Sequence, residues 1–243
     1  QASRYLEHFD KYKQIIKGIF CIKITKFFQR SIMKILMVSA EAVPFAKTGG
    51  LADAVSALSI ALEKAGHDVK IVIPRYYKID RSKLQKLDDE PLGIPFNYSE
   101  VWTAVYTTTL PGSKNLPVYF IDHEQSFGRE GLYGIPSEPD FHDNVIRFSV
   151  LCNGAFQLCQ KLNWFPEIIH SHDWSAGLTN VLLKFNQRWR KEFSKTASVL
   201  TIHNLGYQGN YDKNNFPYTG LDWVNYHASG FEDYGRMNFL KAS

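Results

Sequence analysis

The sequence has little cysteine and offers no metal-binding pattern. Only three of its 243 residues are cysteines, and they form no Cys-x-x-Cys motif and no Cys/His cluster with ligand spacing. Cys152 and Cys159 are seven positions apart in a helical pattern, which places them two turns apart and too distant for a disulfide. We therefore expect no metal site, and we interpret both as small buried residues of a reducing compartment.

Long hydrophobic runs and a broad charge excess are also missing. Lysines interrupt the apolar groups of residues 1–32, so no stretch approaches the roughly 20 apolar residues of a membrane span. No small-residue cleavage site follows an apolar core there, as it would in a signal peptide. Seven of the basic residues lie in this segment, and the rest of the chain is close to neutral. We expect neither stable membrane insertion nor a nucleic-acid surface.

An ordinary α/β core is present. The composition is 44% hydrophobic and 14% aromatic, which is enough to bury a full core. The apolar run Ile35–Val38 predicts a strand covered on both faces, ending near Ala40. A helix follows Gly49 and Gly50, and Asp68–Pro74 reads as a second strand. These elements form a βαβ unit of Rossmann type, and we expect a mostly parallel sheet with helices on both faces.

The loop after the first strand has the chemistry of a phosphate or diphosphate site. Gly49 and Gly50 lack a Cβ, so their backbone can adopt conformations closed to other residues, and a ligand can approach their amides closely. Amides at a helix start favour an anion, and Lys47 adds a mobile positive charge. The alternative is a tight turn beside a solvated lysine. Neither the dinucleotide nor the P-loop glycine pattern occurs in this loop.

The rest of the chain continues the alternation of strands and helices. Its strongest helical pattern begins near Asp143 and repeats apolar residues at spacings of three and four. Residues 75–99 are charged and irregular, and residues 123–140 are rich in glycine and proline, so we expect surface loops there. The predicted strands are Val101–Leu110, Pro117–Asp122, Glu167–His170 and Ala197–Ile202, with a helix between the last two.

Five motifs in order resemble one enzyme family. Ser39-Ala-Glu-Ala-Val-Pro-Phe-Ala-Lys-Thr-Gly-Gly-Leu-Ala-Asp53 is similar to the amino-terminal signature of bacterial glycogen synthases and plant starch synthases, which are retaining glycosyltransferases of the two-domain GT-B type. The other motifs are Phe127-Gly-Arg-Glu-Gly-Leu-Tyr-Gly134, Asp143-Asn-Val-Ile-Arg-Phe148, His170-Ser-His-Asp-Trp-Ser-Ala-Gly177 and Thr201-Ile-His-Asn-Leu-Gly-Tyr-Gln-Gly209.

The resemblance covers roughly residues 33–241 and corresponds to the amino-terminal half of the family's chain. It implies that residues 33–243 are the amino-terminal Rossmann-like domain of a GT-B enzyme, without its carboxyl-terminal domain. Residues 1–32 then form a basic extension foreign to the family, or an upstream translation artefact. We expect the 243 residues to fold but not to turn over substrate alone.

The implied activity is transfer of glucose from ADP-glucose to the non-reducing end of an α-1,4-glucan, glycogen or starch, with retention. ADP-glucose is a substrate, so no cofactor is implied, and no metal is expected. The implied location is the bacterial cytoplasm, or the plastid if the chain is from a plant. Two alternatives stay open: another GT-B transferase that uses UDP-glucose, and a non-catalytic glucan-binding domain.

The resemblance also implies site residues. It assigns catalytic roles to Lys47, His172 and Asp143. A turn histidine is usually a capping or packing group, and an acid at a helix start is often structural. His170 and His172 share strand parity, so they are expected on one side of the sheet. The implied substrate-binding residues are Glu41, Thr48, Gly49, Gly50, Asp53, Tyr133, His203, Asn204 and Gln208.

Overall fold

Parallel strands form the centre of the structure, a computed structural model that describes residues 32–96, 99–189 and 191–243. The elements in chain order are β1 (Lys34–Val38), α1 (Gly50–Lys64), β2 (Asp68–Pro74), β3 (Gln85–Lys86), β4 (Leu92–Phe96), β5 (Ser99–Thr109), β6 (Pro117–Asp122), α2 (Glu124–Phe127), α3 (Asn144–Lys161), β7 (Ile168–His172), α4 (Asp173–Phe185), β8 (Ala197–Thr201), β9 (Asn210–Asp212), β10 (Glu232–Asp233), β11 (Arg236–Asn238) and α5 (Phe239–Ala242). Short 3-10 turns occupy Arg81–Lys83, Gln187–Trp189, Lys213–Thr219 and Trp223–Asn225.

The parallel strands follow the order β6-β2-β1-β7-β8. The central strand β1 pairs with β2 on one side and with β7 on the other, in register Met37 to Ile71 and Met37 to His170. The chain therefore builds outward from β1 in one direction and then returns to build in the other. Open α/β sheets bind ligands at this reversal, beyond the carboxyl ends of the strands. The loops that follow β1 and β7 lie at this point.

An antiparallel extension widens the sheet beyond β6. Strand β5 pairs with β6, and β3 and β4 pair with β5. The prediction that residues 75–99 are irregular is therefore wrong for β4, where Leu92 and Ile94 are buried. Gly93 and Pro95 hid this alternation, because both residues are unfavourable in the interior of a sheet. Pro95 is accommodated because, among the described strands, β4 pairs only with β5.

Helices cover both faces of the parallel sheet. Helix α1 connects β1 to β2 and α4 connects β7 to β8, so right-handed crossovers in opposite directions place them on opposite faces. Helix α3 packs against α4 and β4, and fourteen of its eighteen residues are buried. The predicted α/β fold with a mostly parallel sheet is confirmed. No helix in the described ranges is long and apolar enough to cross a membrane.

The predicted strands agree closely with the observed ones. Strands β2 and β6 have the predicted bounds, whereas β7 continues two residues further, to His172. The helix from Asp143 is present, and Cys152 and Cys159 are buried in it. Met33–Ser243 form one compact unit. Cys21 and nearly all of the predicted extension 1–32 lie outside the described residues.

Candidate active site

The loop after β1 is held by a buried carboxylate. Glu41 is 2% exposed and accepts three hydrogen bonds, from the Thr48 backbone N–H at 2.5 Å, the Thr48 hydroxyl at 2.7 Å and the Tyr133 hydroxyl at 2.9 Å. The last of these bonds joins the loop to the segment that follows β6. Glu41 thus fixes the chain immediately before Gly49 and ties together two loops at the carboxyl edge of the sheet.

Gly49 and Gly50 form an open helix start. Gly49 precedes α1 with φ −154° and ψ −155°, which is extended backbone, so it does not use the conformations that only glycine can adopt. Within the described ranges no side chain caps this end of α1, and a Cβ at either glycine would meet no atom within 4 Å. The first backbone amides of α1 therefore remain available to an anion.

Lys47 lies beside this helix start in an exposed ion pair. Its Nζ is 2.7 Å from a carboxylate oxygen of Asp53, in the first turn of α1, and both side chains are about half exposed (51% and 55%). An exposed pair of this kind contributes only about 0–1 kcal/mol. A phosphate group can therefore replace Asp53 as the partner of Lys47 at little cost.

Tyr133 is a protonated donor under the loop. Burial is the main reason that its pKa is raised well above 10, and the neighbouring Tyr76 and Glu41 add to the shift. Its ring lies 5.7 Å from that of Phe148 and 6.0 Å from that of Trp174. The tyrosine therefore spans from the loop of β1 to the first turn of α4.

Asp143 precedes α3 but does not cap it with its side chain in the described part of the chain. Its carboxylate pairs instead with the Arg129 guanidinium, which lies 4.1 Å from the centre of the Phe141 ring. Arg129 was missing from the predicted site residues. The motif that contains Tyr133 also contains this arginine, but its spacing in sequence does not reveal the pairing.

His172 is the last residue of β7 and is 1% exposed. Its Nδ1 is 3.0 Å from Nε2 of His203, and its ring is stacked 4.2 Å from that of His170, so the shared side predicted for His170 and His172 is confirmed. Burial, followed by the two neighbouring histidines, lowers the His172 pKa to about 3. Its Nε2 is buried and has no hydrogen-bond partner among the residues that the structure describes. Neutral His172 therefore offers one unused nitrogen.

The residues after β8 form a turn beside His172. The Asn204 side-chain oxygen accepts from the Gly206 backbone N–H at 2.9 Å, and the Gln208 side chain donates to the Leu205 carbonyl at 3.2 Å. Gln208 also accepts from Asn238 at 2.8 Å. Both amides are thus partly engaged in the turn.

The structure brings the predicted residues together in two groups. The loop of β1 joins Glu41, Thr48 and Tyr133 by hydrogen bonds and Lys47 to Asp53 by an ion pair, and the ends of β7 and β8 join His172 to His203. Pairing of β1 with β7 places both groups at the same edge. Asp143 is bound instead to Arg129. A cavity of about 250 Å³ between α4, β8 and residues 225–231 contains none of the predicted residues.

Asp173 was not among the predicted site residues, although it lies in the motif that contains His172. Asp173 follows His172, has φ +58°, and accepts hydrogen bonds from the backbone N–H groups of His203 and Asn204. No cluster of three or more potential metal ligands was found in residues 32–96, 99–189 and 191–243.

Comparison with known proteins finds a matching family model and similar glycogen synthases. The family model described as the starch synthase catalytic domain matches residues 34–243. Glycogen synthase of Treponema denticola is 57% identical over 211 residues, which cover 87% of this chain and 42% of that protein. Glycogen synthase 2 of Geobacter metallireducens is 38% identical over 216 residues and is covered to 43%.

A solved structure is also similar. The catalytic domain of starch synthase IV from Arabidopsis thaliana, bound to ADP and acarbose, superposes with a TM-score of 0.75 at 27% identity. The match covers 87% of this chain and 43% of that one. The chain thus spans less than half the length of these relatives. From its match over residues 34–243, this chain belongs to the starch synthase catalytic domain family.

Proposed function

We propose that this chain supplies one side of the active site of a glycogen or starch synthase. The reaction is transfer of glucose from ADP-glucose to the non-reducing end of an α-1,4-glucan, with retention. The observation that carries the proposal is the open start of α1 at Gly49 and Gly50, located where the strand order reverses. Because the chain spans less than half of its relatives' length, this is the activity proposed for the longer enzyme.

The open helix start binds the diphosphate of the donor. When the bond to the anomeric carbon breaks, negative charge grows on the departing phosphate oxygen. The amides of Gly49 and Gly50 and the ammonium group of Lys47 stabilise that charge more than they stabilise the ground state. When the donor binds, phosphate replaces Asp53 as the partner of Lys47, and this costs little because both side chains of the ion pair are about half exposed to solvent.

The glucose side is formed by the ends of β7 and β8. Nε2 of His172 is buried and unused by the described residues, and a sugar hydroxyl can supply its missing partner. Because the pKa of His172 is lowered to about 3, the ring hydrogen-bonds as a neutral group. Asn204 and Gln208 add amide donors and acceptors, which suit sugar hydroxyls. Glu41 and Tyr133 act by holding the two loops in place.

The choice of ligands follows the relatives. The Arabidopsis starch synthase IV structure is bound to ADP and acarbose, which supports an adenine nucleotide and a glucan-like chain as ligands here. The bacterial relatives support glycogen as the acceptor and the cytoplasm as the location. We propose no cofactor and no metal requirement, since the positive charge at the phosphates comes from side chains and amides.

Calorimetric titration tests the diphosphate site. ADP, ADP-glucose and UDP-glucose are titrated into the chain and into Lys47→Ala and Gly49→Ala variants. Loss of one charge-assisted hydrogen bond of about 1.5–3 kcal/mol weakens binding roughly 10–150-fold in Lys47→Ala. Gly49→Ala places a methyl group in the open space and should weaken binding without changing stability.

Lys86→Ala is the matched control, because it removes a similar exposed ion pair, with Asp89, from β3. If Lys47→Ala and Gly49→Ala bind ADP as tightly as the wild-type chain does, the proposed phosphate site is refuted. Tighter binding of UDP-glucose than of ADP-glucose would favour the alternative, a GT-B transferase that uses UDP-glucose. In the longer enzyme, Lys47→Ala should lower kcat about 10²–10³-fold.

A further inference from the structure

Asp173 holds a backbone conformation that is uncommon for residues other than glycine. It is the first residue of α4, is 9% exposed, and has φ +58°. This left-handed region disfavours residues with a Cβ, and aspartate and asparagine enter it more readily than the others. Such strain persists where surrounding contacts impose it, and it is frequent at functional sites. The contacts of the Asp173 side chain should therefore show what imposes this conformation.

The Asp173 carboxylate binds the loop that follows β8. Its Oδ1 accepts from the His203 backbone N–H at 2.6 Å and from the Asn204 backbone N–H at 3.3 Å. Asp173 directly follows β7, and both donors lie just beyond the end of β8. The carboxylate thus fixes the backbone position from which the His203 ring extends.

The His203 ring in turn faces His172. Nε2 of His203 is 3.0 Å from Nδ1 of His172, and the two rings are stacked 5.3 Å apart with an angle of 29°. A neutral imidazole carries its proton on one nitrogen only. The bond at Nδ1 of His172 therefore decides whether its buried Nε2 donates or accepts a hydrogen bond.

We infer that Asp173 is a positioning residue: by fixing the backbone of His203, it sets which nitrogen of His172 carries the proton and so the hydrogen bond that His172 offers to a ligand. The identity of that ligand as a sugar rests on the proposed function. The link from Asp173 through His203 to His172 does not.

Nuclear magnetic resonance of the histidine ring nitrogens tests the link, because their shifts distinguish the two tautomers. Asp173→Gly fits φ +58° without strain but has no carboxylate, and Asp173→Asn keeps an oxygen acceptor. At pH 7.5 we expect one tautomer of His172 in the wild-type chain and in Asp173→Asn. In Asp173→Gly we expect shifted or averaged ring nitrogens for His172 and His203.

Tyr234→Gly is the matched control, since Tyr234 also has positive φ (+49°) but is 98% exposed. It should leave the histidine shifts unchanged. Wild-type shifts in a folded Asp173→Gly would overturn the inference. If that variant does not fold, His203→Ala decides, because unchanged His172 shifts there would equally refute the link.

Binding measurements separate the inference from the proposed function. Maltooligosaccharide titrations of the wild-type chain and of Asp173→Gly accompany the spectra. Altered ring nitrogens with no sugar binding by the wild-type chain would sustain the positioning role and contradict the sugar site. If the ring nitrogens of Asp173→Gly are unaltered and the wild-type chain binds the sugar, the positioning role is refuted and the sugar site is supported.

Discussion

Replacing Tyr133 with Phe tests whether one hydrogen bond holds two loops together. The change removes only the hydroxyl, which donates to Oε1 of Glu41 at 2.9 Å, and leaves the ring contacts with Phe148 and Trp174. A hydrogen bond to a carboxylate contributes about 1.5–3 kcal/mol. For a chain of this size each kcal/mol lowers the melting temperature by about 2–4 °C, so the expected loss is roughly 3–12 °C.

Tyr76→Phe is the matched control. Tyr76 is 2% exposed, and its hydroxyl is buried without a hydrogen-bond partner in the described part of the chain. Removal of an unsatisfied buried hydroxyl should be neutral or slightly stabilising. Both variants are measured by urea and thermal unfolding followed by circular dichroism. Equal changes in the free energy of unfolding would show that the bond from Tyr133 to Glu41 contributes nothing specific.

A double-mutant cycle sharpens this test. The Thr48 hydroxyl donates to the same oxygen of Glu41, at 2.7 Å. Thr48→Val and Tyr133→Phe should therefore be non-additive, with an interaction energy of at least about 0.5 kcal/mol. Additive effects would mean that Glu41 holds its two partners independently.

Three further predictions concern His172 and two glycines. The His172 pKa is lowered to about 3 in the folded chain, below its unfolded value of 6.5, so folding favours the neutral ring. Stability should therefore fall as the pH drops from about 6.5 towards 3, by up to about 1.4 kcal/mol per pH unit, and His172→Asn should show a smaller slope in urea titrations. Gly209→Ala should lower the free energy of unfolding by about 2–5 kcal/mol, since φ is +68° and a Cβ would lie 2.5 Å from the Trp174 ring. Gly235→Ala is the control, because φ is +80° but the space is open, and it should cost only about 1–2 kcal/mol. Equal losses of stability in the two variants would refute the steric argument. Gly49→Ala should leave the melting temperature unchanged, whereas a loss of several degrees would show that the space beside it is not open.

Local patterns in the sequence predicted the sheet well. The apolar run Ile35–Val38 and the bounds Asp68–Pro74 are visible without tertiary information, because a strand buried on both faces needs apolar residues on both. Strand β4 was not predicted, because Gly93 and Pro95 are both unfavourable residues in the interior of a strand. Strand β4 pairs antiparallel with the next strand, β5, from Phe96 with Ser99 to Leu92 with Thr103, so the missed pairing is local in sequence.

The site was harder to predict than the fold. Sequence order indicated the loop with Lys47 and the turn with His172, but not how their side chains are used. Glu41 binds Tyr133, 92 positions away, and Asp143 binds Arg129. The left-handed conformation of Asp173 has no marker in the sequence, since glycine is the residue expected there. These contacts depend on which strands become neighbours, and only the folded chain determines that.

Glu41 has a further consequence for how the two loops respond to ligands. A single carboxylate holds the segment before Gly49 and the tyrosine of the segment after β6. A molecule that moves Tyr133 would remove one of the three hydrogen bonds that the carboxylate accepts, and the other two come from Thr48. The two loops are therefore coupled through one carboxylate, and we expect displacement of one loop to change the hydrogen bonding of the other.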